Sequence, residues 1–254
     1  MLLRKINHKK GYDLIEYDEG IILLVDPKLA AKLNINEEFD LVKLLADNEE
    51  FALQYAMKES IKYLSAAMRT ARQTLDNLLK RGVQKKCALM TVEKLVEVKY
   101  LDDNAYAAFY VSNAILSGMG KRNIQTKLAQ KGLSEQVIKD ALTAYGDEAL
   151  SENARIFTQK KNRLLAKYPP FIRREKLIRA AIQKGFDPKD IYPVLDELLS
   201  ADKGDYSGYF EPLIKRKAQS LLKKGMDFKA MRSKLYSEFV PKGADKGLID
   251  KYCK

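Results

Sequence analysis

The sequence predicts a mainly α-helical protein, built of tandem three-helix repeats forming an elongated curved body, with a small N-terminal region of β-hairpin or three-strand type. Three observations carry that prediction. Apolar residues recur at helical spacing from about Phe51 onward, whereas strand-like patterning is confined to about the first 26 residues. Gly82, Gly132 and Gly185, roughly 50 residues apart, each follow a basic helix end. Around them the neighbouring places superpose: Thr74, Ile124 and Leu177 stand eight residues before, Leu78, Leu128 and Ala181 four before, and Val83, Leu133 and Phe186 directly after.

Taken in order, Arg4 to His8, Tyr12 to Asp18 and Ile21 to Val25 read as short strands, separated by Lys10-Gly11 and by Asp18-Glu19-Gly20 turns. His8, the sole histidine, is expected as an exposed strand residue, and one histidine excludes triads and His-rich metal sites. Asp26-Pro27 offers a cap followed by proline at the first helical position, and Asn36-Glu37-Glu38 begins another helix with acids in its first turn.

The most complete repeat runs from Lys99 to Leu133. An aspartate of Asp102-Asp103 can accept the free N–H groups of a helix that begins near Asp103 or Asn104. The pair is read as a cap rather than a metal site, because no further ligands stand at matching positions. Ser117-Gly118-Met119-Gly120 interrupts that helix, since glycine in a helix interior costs about 1 kcal/mol. A second helix then spans about Lys121 to Gln130, with Ile124 and Leu128 on one buried face and Lys131-Gly132 as its left-handed cap. A third starts at Ser134. Gly118-x-Gly120 has neither a preceding strand nor the third glycine of a dinucleotide fingerprint, so no phosphate cofactor is expected there, nor any cofactor elsewhere. Tyr106 and Tyr110 could stack on unpaired bases, but their spacing among alanines favours core-facing positions.

The other repeats are read against this one. Third helices begin near Lys86, Ser134 and Pro188, the last behind an Asp187-Pro188 start, and Pro169-Pro170 bounds the loop before the second helix of the third repeat. A fourth, fainter repeat occupies Tyr206 to Lys254, with Met231, Leu235 and Val240 in apolar places and Phe239 in the glycine place. The division expected is 1–50 for the strand-containing module, 51–101, 102–150 and 151–203 for three repeats, and 204–254 for the degenerate fourth. Abutting repeats of this kind stabilise one another and produce extended bodies.

The net charge of +12 is uneven. Residues 1–50 carry 7 basic against 11 acidic groups, whereas 51–100, 151–200 and 201–254 carry net charges of +6, +5 and +6. Positive charge spread over successive repeats is the footprint of a polyanion binder. Cys87 and Cys253 have no partner at metal-ligand or C-x-x-C spacing, which argues against a disulfide framework and for a reducing cytoplasm. The N-terminus lacks a signal-peptide apolar region, and no run approaches the ~18 apolar residues of a membrane span, so a soluble, unprocessed monomer is expected.

Leu101-Asp102-Asp103, Gly118, Gly120, Arg122, Leu128 and Lys131-Gly132 together resemble the RecX family of bacterial recombination regulators, whose signature runs G-Y-L-D-D-x-x-F-A, G-x-G-x-x-R-I and L-x-x-K-G-I. Lys99 replaces the first glycine, Tyr106 the phenylalanine and Leu133 the last isoleucine, and Asn123 separates Arg122 from Ile124. Leu64-Ser65 to Thr70 resembles the family's L-S-x-R-x-R-[ST]-x-x-E, with Gln73 in the glutamate place and Ala66 or Ala67 in that of an arginine. The resemblance covers nearly the whole chain and implies binding in the groove of a RecA–DNA filament, with inhibition of its ATPase and strand exchange, in some members with filament disassembly. A role in DNA repair and the SOS response follows from it.

Helix geometry selects the candidate contacts, because places ten and six residues before each glycine lie opposite the buried stripe. They hold Arg72 and Asp76, Arg122 and Thr126, and Glu175 and Arg179, with Arg69, Lys80, Lys121, Lys127, Lys131, Arg173 and Arg174 nearby. These cations are expected to meet phosphates of single- or double-stranded DNA, or recombinase carboxylates. Two other readings remain: a non-sequence-specific DNA-binding helical-repeat protein, which would not distinguish naked from recombinase-coated DNA, and a nuclease or nucleotide-using enzyme. The sequence leaves open whether inhibition works by end capping, groove wedging or blocking the second strand.

Overall fold

A computed structural model of the chain describes residues 3–10, 12–17, 22–25, 27–31, 33–35, 40–200, 202 and 204–253. The first element is an antiparallel sheet of order β1-β2-β3, formed by β1 (Leu3–Lys9), β2 (Tyr12–Tyr17) and β3 (Ile22–Val25). Ile6 faces Ile15 and His8 faces Asp13 across the first pair. The two-residue period of β2 buries Asp13 and Ile15 together, and exposed His8 places Nδ1 2.9 Å from the Asp13 carboxylate. The expected turn residues Gly11 and Asp18 to Gly20, together with Ile21, lie outside the described residues, as does the cap Asp26.

Helix α1 (Pro27–Ala30) begins on the expected proline, and α2 (Leu41–Asp47) follows. The expected start at Asn36-Glu37-Glu38 lies outside the described residues, and the cap of α2 is Asp40, whose carboxylate accepts the Lys43 N–H at 3.1 Å. The remaining helices fall in threes. The first set is α3 (Glu49–Ala66), α4 (Ala71–Lys80) and α5 (Lys85–Glu97), and the second is α6 (Asp103–Leu116), α7 (Lys121–Gln130) and α8 (Glu135–Leu142). The third is α9 (Asp147–Leu164), α10 (Pro170–Lys184) and α11 (Pro188–Ser200), and the fourth is α12 (Ser207–Leu222), α13 (Phe228–Phe239) and α14 (Lys246–Asp250). Helix α10 starts on Pro170 itself, with Pro169 as its cap residue.

Two compact units contain these elements, one made of the chain up to Tyr110 with Lys127–Leu142, the other of Val111–Thr126 with Thr143–Lys254. In the first, Leu3, Ile15 and Val25 of the sheet share a core with Leu45, Phe51, Tyr55, Leu78, Val83 and Leu95. Buried Glu59 of α3 pairs there with Arg81 at the end of α4, 2.5 Å away. In the second, the fourth repeat has its own core around Phe210, Ile214, Met231, Leu235, Phe239 and Ile249.

Each second helix ends the same way. The N–H after the glycine returns to the carbonyl four residues before it, from Val83 to Leu78 at 3.1 Å, Leu133 to Leu128 at 3.3 Å and Phe186 to Ala181 at 3.0 Å. This closure requires a left-handed residue between them, which the glycines supply at φ of +85°, +84° and +94°. The fourth repeat obeys the same rule in a shifted frame. Its glycine place is Gly243 (φ +96°), not Phe239, and the Ala244 N–H returns to the Phe239 carbonyl at 3.1 Å. Leu235 and Phe239 then occupy the buried places eight and four before the glycine. A 3-10 turn at Val240–Lys242 lengthens α13 and displaces the glycine from the position that simple spacing assigns.

Capping at the starts is equally specific. Thr70 and Gln73 form a complete capping box on α4, so glutamine serves where the resembling pattern has glutamate. Asp102 accepts the Ala105 N–H at 2.9 Å and so caps α6, while Asp103 accepts the N–H of Ala71, the first residue of α4, at 2.9 Å. The adjacent carboxylates therefore cap two different helices. Tyr106 is buried and Tyr110 half-buried, stacked with 6.4 Å between centroids.

Candidate filament and nucleic-acid interface

The start of one second helix lies against the glycine turn of the next repeat, and this joint recurs. In the first compact unit the Thr70 hydroxyl donates to the Lys131 carbonyl at 2.7 Å, and a Cβ on Gly132 would lie 2.4 Å from the Arg72 side chain. In the second, Gly120 N–H donates to the Lys184 carbonyl at 3.1 Å, Arg122 N–H to the Gly185 carbonyl at 3.0 Å, and the Asn123 amide to the Gln183 carbonyl at 2.8 Å. A side chain on Gly120 is excluded, because its Cβ would fall 2.1 to 2.3 Å from the backbone of Gly185 and Phe186. The two glycines of Gly118-x-Gly120 thus have separate tasks: Gly118 adopts φ +62°, and Gly120 lets two backbones meet. Helix α2 makes the corresponding approach to the first repeat, with Val42 against the Gly82 turn.

Each of the first three second helices carries an exposed arginine. Arg72, Arg122 and Arg179 keep 63%, 62% and 78% of their side-chain surface, as the position opposite the buried stripe requires. Each is held by a carboxylate: Arg72 by Asp76 at 3.0 Å, Arg122 by Asp187 at 2.6 Å and Arg179 by Glu175 at 3.6 Å. Backbone donation from Lys189, followed by the Arg122 guanidinium, holds the Asp187 carboxyl below the ordinary carboxylate range. Exposed pairs of this kind are worth only ~0–1 kcal/mol, so an arriving phosphate or carboxylate can exchange for them. The joints also set Arg72 beside Lys131 and Arg122 beside the Lys184-Gly185 turn.

The other expected cations divide by environment. Lys80 and Lys127 are exposed, and Arg174 reaches Asp196 at 2.7 Å. Lys121 lies 3.6 Å from Asp147 and over the Tyr145 ring, and Lys131 lies over Tyr106. Arg69 is half-buried, its guanidinium 4.6 Å from the centre of the Tyr63 ring.

Arg173 is not a surface residue. Only 4% exposed, it donates to the Tyr168 carbonyl at 3.1 Å, to Asn162 at 3.2 Å, to the Tyr206 hydroxyl at 2.5 Å and to the Asp202 carboxylate. Its place twelve residues before the glycine is buried in every repeat, by Thr70, Gly120, Arg173 and Met231. A guanidinium can occupy it only when surrounded by acceptors. Sequence reasoning also passed over Lys184 and Lys242. The signal was present, since the residue before each repeat glycine is basic: Arg81, Lys131, Lys184 and Lys242.

Comparison with known proteins places this geometry. Residues 102–142 match the family model for the second three-helix domain of RecX, and residues 147–195 that for its third. The regulatory protein RecX of Streptococcus uberis is 26% identical over 250 residues, covering 96% of this chain and 95% of that one. That of Bacillus cytotoxicus is 29% identical over 170 residues, 66% of this chain, which spans 62% of the relative's length. A crystal structure of a regulatory protein RecX covers 79% of this chain and 99% of its own, with a TM-score of 0.57 and 26% identity. The structure of RecX from Lactobacillus salivarius, at 22% identity and a TM-score of 0.55 over 58% of this chain, shares the fold.

Proposed function

The chain belongs to the RecX family of regulatory proteins, and on that footing we propose that it binds the RecA–DNA filament and lowers its ATPase and strand-exchange activity, tuning recombination and repair in the cytoplasm. The observation that carries the reading is the recurrence of an exposed arginine opposite the buried stripe in three successive repeats, Arg72, Arg122 and Arg179. A guanidinium engages phosphate and carboxylate alike in bidentate fashion, so a surface of this kind suits a polymer that presents DNA and protein together. Lys80, Lys121, Lys127, Lys131 and Arg174 are the further contacts in this reading, and Arg173 is not one of them. The protein acts as a monomer and hydrolyses no nucleotide itself.

The test is a recombinase ATPase assay on single-stranded DNA with this protein titrated in. The proposal expects hydrolysis and strand exchange to fall. Recombinase activity that stays unchanged at salt concentrations where the protein still binds DNA would leave a general DNA binder instead.

A further inference from the structure

The fourth repeat contributes no arginine to the face described above, yet it holds a cationic cavity of about 460 Å³ between α12 and α13. Arg216, Lys217 and Lys242 line it against a single carboxylate, Glu238, so the walls carry a net charge of +2. Lys217 is bound to Glu238 at 2.7 Å, whereas Arg216 and Lys242 form no ion pair among the described residues. Lys217 first, then Lys242 and Lys234, keep the Glu238 carboxyl below the usual carboxylate range, which records how closely these cations converge. Leu213 and the largely buried Phe239 supply the apolar part of the lining, with Lys242 5.5 Å from the Phe239 ring centre. Beside the cavity the Gly243 turn stands open, with nothing among the described residues within 4 Å of where a Cβ would be, although its counterparts in the other repeats are covered.

Two unpaired cations call for a phosphate. A phosphate alone leaves most of such a volume empty and ignores the apolar part of the lining, whereas small-ligand sites of roughly 300–1,000 Å³ combine an apolar lining with a few placed polar groups. A nucleoside monophosphate satisfies both demands: phosphate on Arg216 and Lys242, base along Leu213 and Phe239, and a sugar hydroxyl or base N–H donating to Glu238, with Ser220 at the rim. We infer that the cavity between α12 and α13 binds one nucleoside monophosphate, either as a free nucleotide or as the 5′-phosphorylated end of a strand. This inference does not depend on the filament reading, because it concerns other residues and its probe is a mononucleotide.

Calorimetric titration of the full chain with AMP, adenosine and inorganic phosphate tests it. Saturable AMP binding at least tenfold tighter than either fragment is expected, as is a tenfold or greater loss in the double variant R216A/K242A with its helical dichroism unchanged. Ser220→Glu, on the exposed rim, should weaken AMP binding to the same degree. Competition with bound AMP then identifies the source: displacement by a 5′-phosphorylated oligonucleotide but not by its 5′-hydroxyl counterpart supports a strand end, and displacement by neither supports the free nucleotide. No AMP binding, equal affinity for AMP and phosphate, an unaffected double variant or equal displacement by both oligonucleotides would overturn the inference.

Discussion

At Gly185 and at Gly243 the chain makes the same turn, with φ of +94° and +96° and an N–H returning to the carbonyl four residues before the glycine. Around Gly185, however, helix α7 comes so near that a Cβ would lie 2.6 Å from Asn123, whereas a Cβ on Gly243 would have nothing among the described residues within 4 Å. Local sequence builds the turn, whereas the start of the preceding second helix decides whether it becomes a joint. Helix α7 brings Gly120, which offers bare backbone; α10 brings Arg173, which turns inward to Asp202 and Tyr206. Helix α10 also starts fifteen residues before its glycine, where α7 starts eleven before, so it carries one more turn at the end that would have to dock. The repeat is therefore regular in its turns but not in its joints, and the missing joint leaves the Gly243 turn open.

The comparison breaks most sharply at Gly120. Gly120→Ala forces a methyl group into the Gly185 backbone, which has no side-chain freedom to yield, and should destabilise the second compact unit by about 3 kcal/mol or more in urea melts. Arg173→Met should cost somewhat less, about 2 to 3 kcal/mol, by leaving Asp202 and Tyr206 without their buried cation.

That second loss should depend on pH. Burial alone would raise the Asp202 carboxyl, but the Tyr206 hydroxyl, the Gly204 N–H and Arg173 outweigh it and hold it below the ordinary range. A depressed folded-state value means that the contribution is complete above about pH 4, where a free carboxyl is ionised, and fades as pH falls through the lower folded value. Melting curves of the parent and of Arg173→Met should therefore converge as pH is lowered from 5 to 3. A gap that stays constant would remove Asp202 from the account.

Gly243→Ala is the milder counterpart of Gly185→Ala. Both place a methyl group on a left-handed residue, at about 1 kcal/mol, but only Gly185 adds a collision, so its variant should lose roughly 1 to 3 kcal/mol more. The smallest effect is a gain. Lys99 holds φ +64° where α5 ends, in the left-handed place of a turn closed by the Tyr100 N–H on the Leu95 carbonyl. Lys99→Gly should stabilise the chain by about 0.5 to 1 kcal/mol, the relief of strain less the added freedom of the unfolded state.

What the sequence made legible was what neighbouring residues decide among themselves. The 3.6-residue period locates Ile124, Leu128, Leu177 and Ala181 as buried places, and the glycines with their basic predecessors locate three turns, because period and cap act within one or two helical turns. Asp103 on the N–H of Ala71, Gly120 on the backbone of Gly185, and Arg173 among acceptors 29 and 33 residues onward were not legible, since each depends on a distance set only once repeats meet. The displaced fourth glycine belongs with them in part: Pro241 and Gly243 were visible, but the 3-10 turn that absorbs the shift was not. The arginine face was legible in its positions, and the carboxylates that hold it only in part, as Asp76 and Glu175 share its helices while Asp187 comes from beyond the turn.

The most direct test of the functional account is inhibition of a RecA ATPase on single-stranded DNA by the triple variant R72A/R122A/R179A, measured across a salt series beside the parent. The three side chains are exposed and opposite the buried stripe, so the variant should fold as the parent does. Inhibition should weaken at least tenfold, and the logarithmic salt dependence of binding should flatten by about 0.7 for each single-strand phosphate that the variant no longer neutralises. Inhibition and salt slope equal to the parent's would contradict the account, because the arginine face would then be solvated surface and the filament would have to be met elsewhere on the chain.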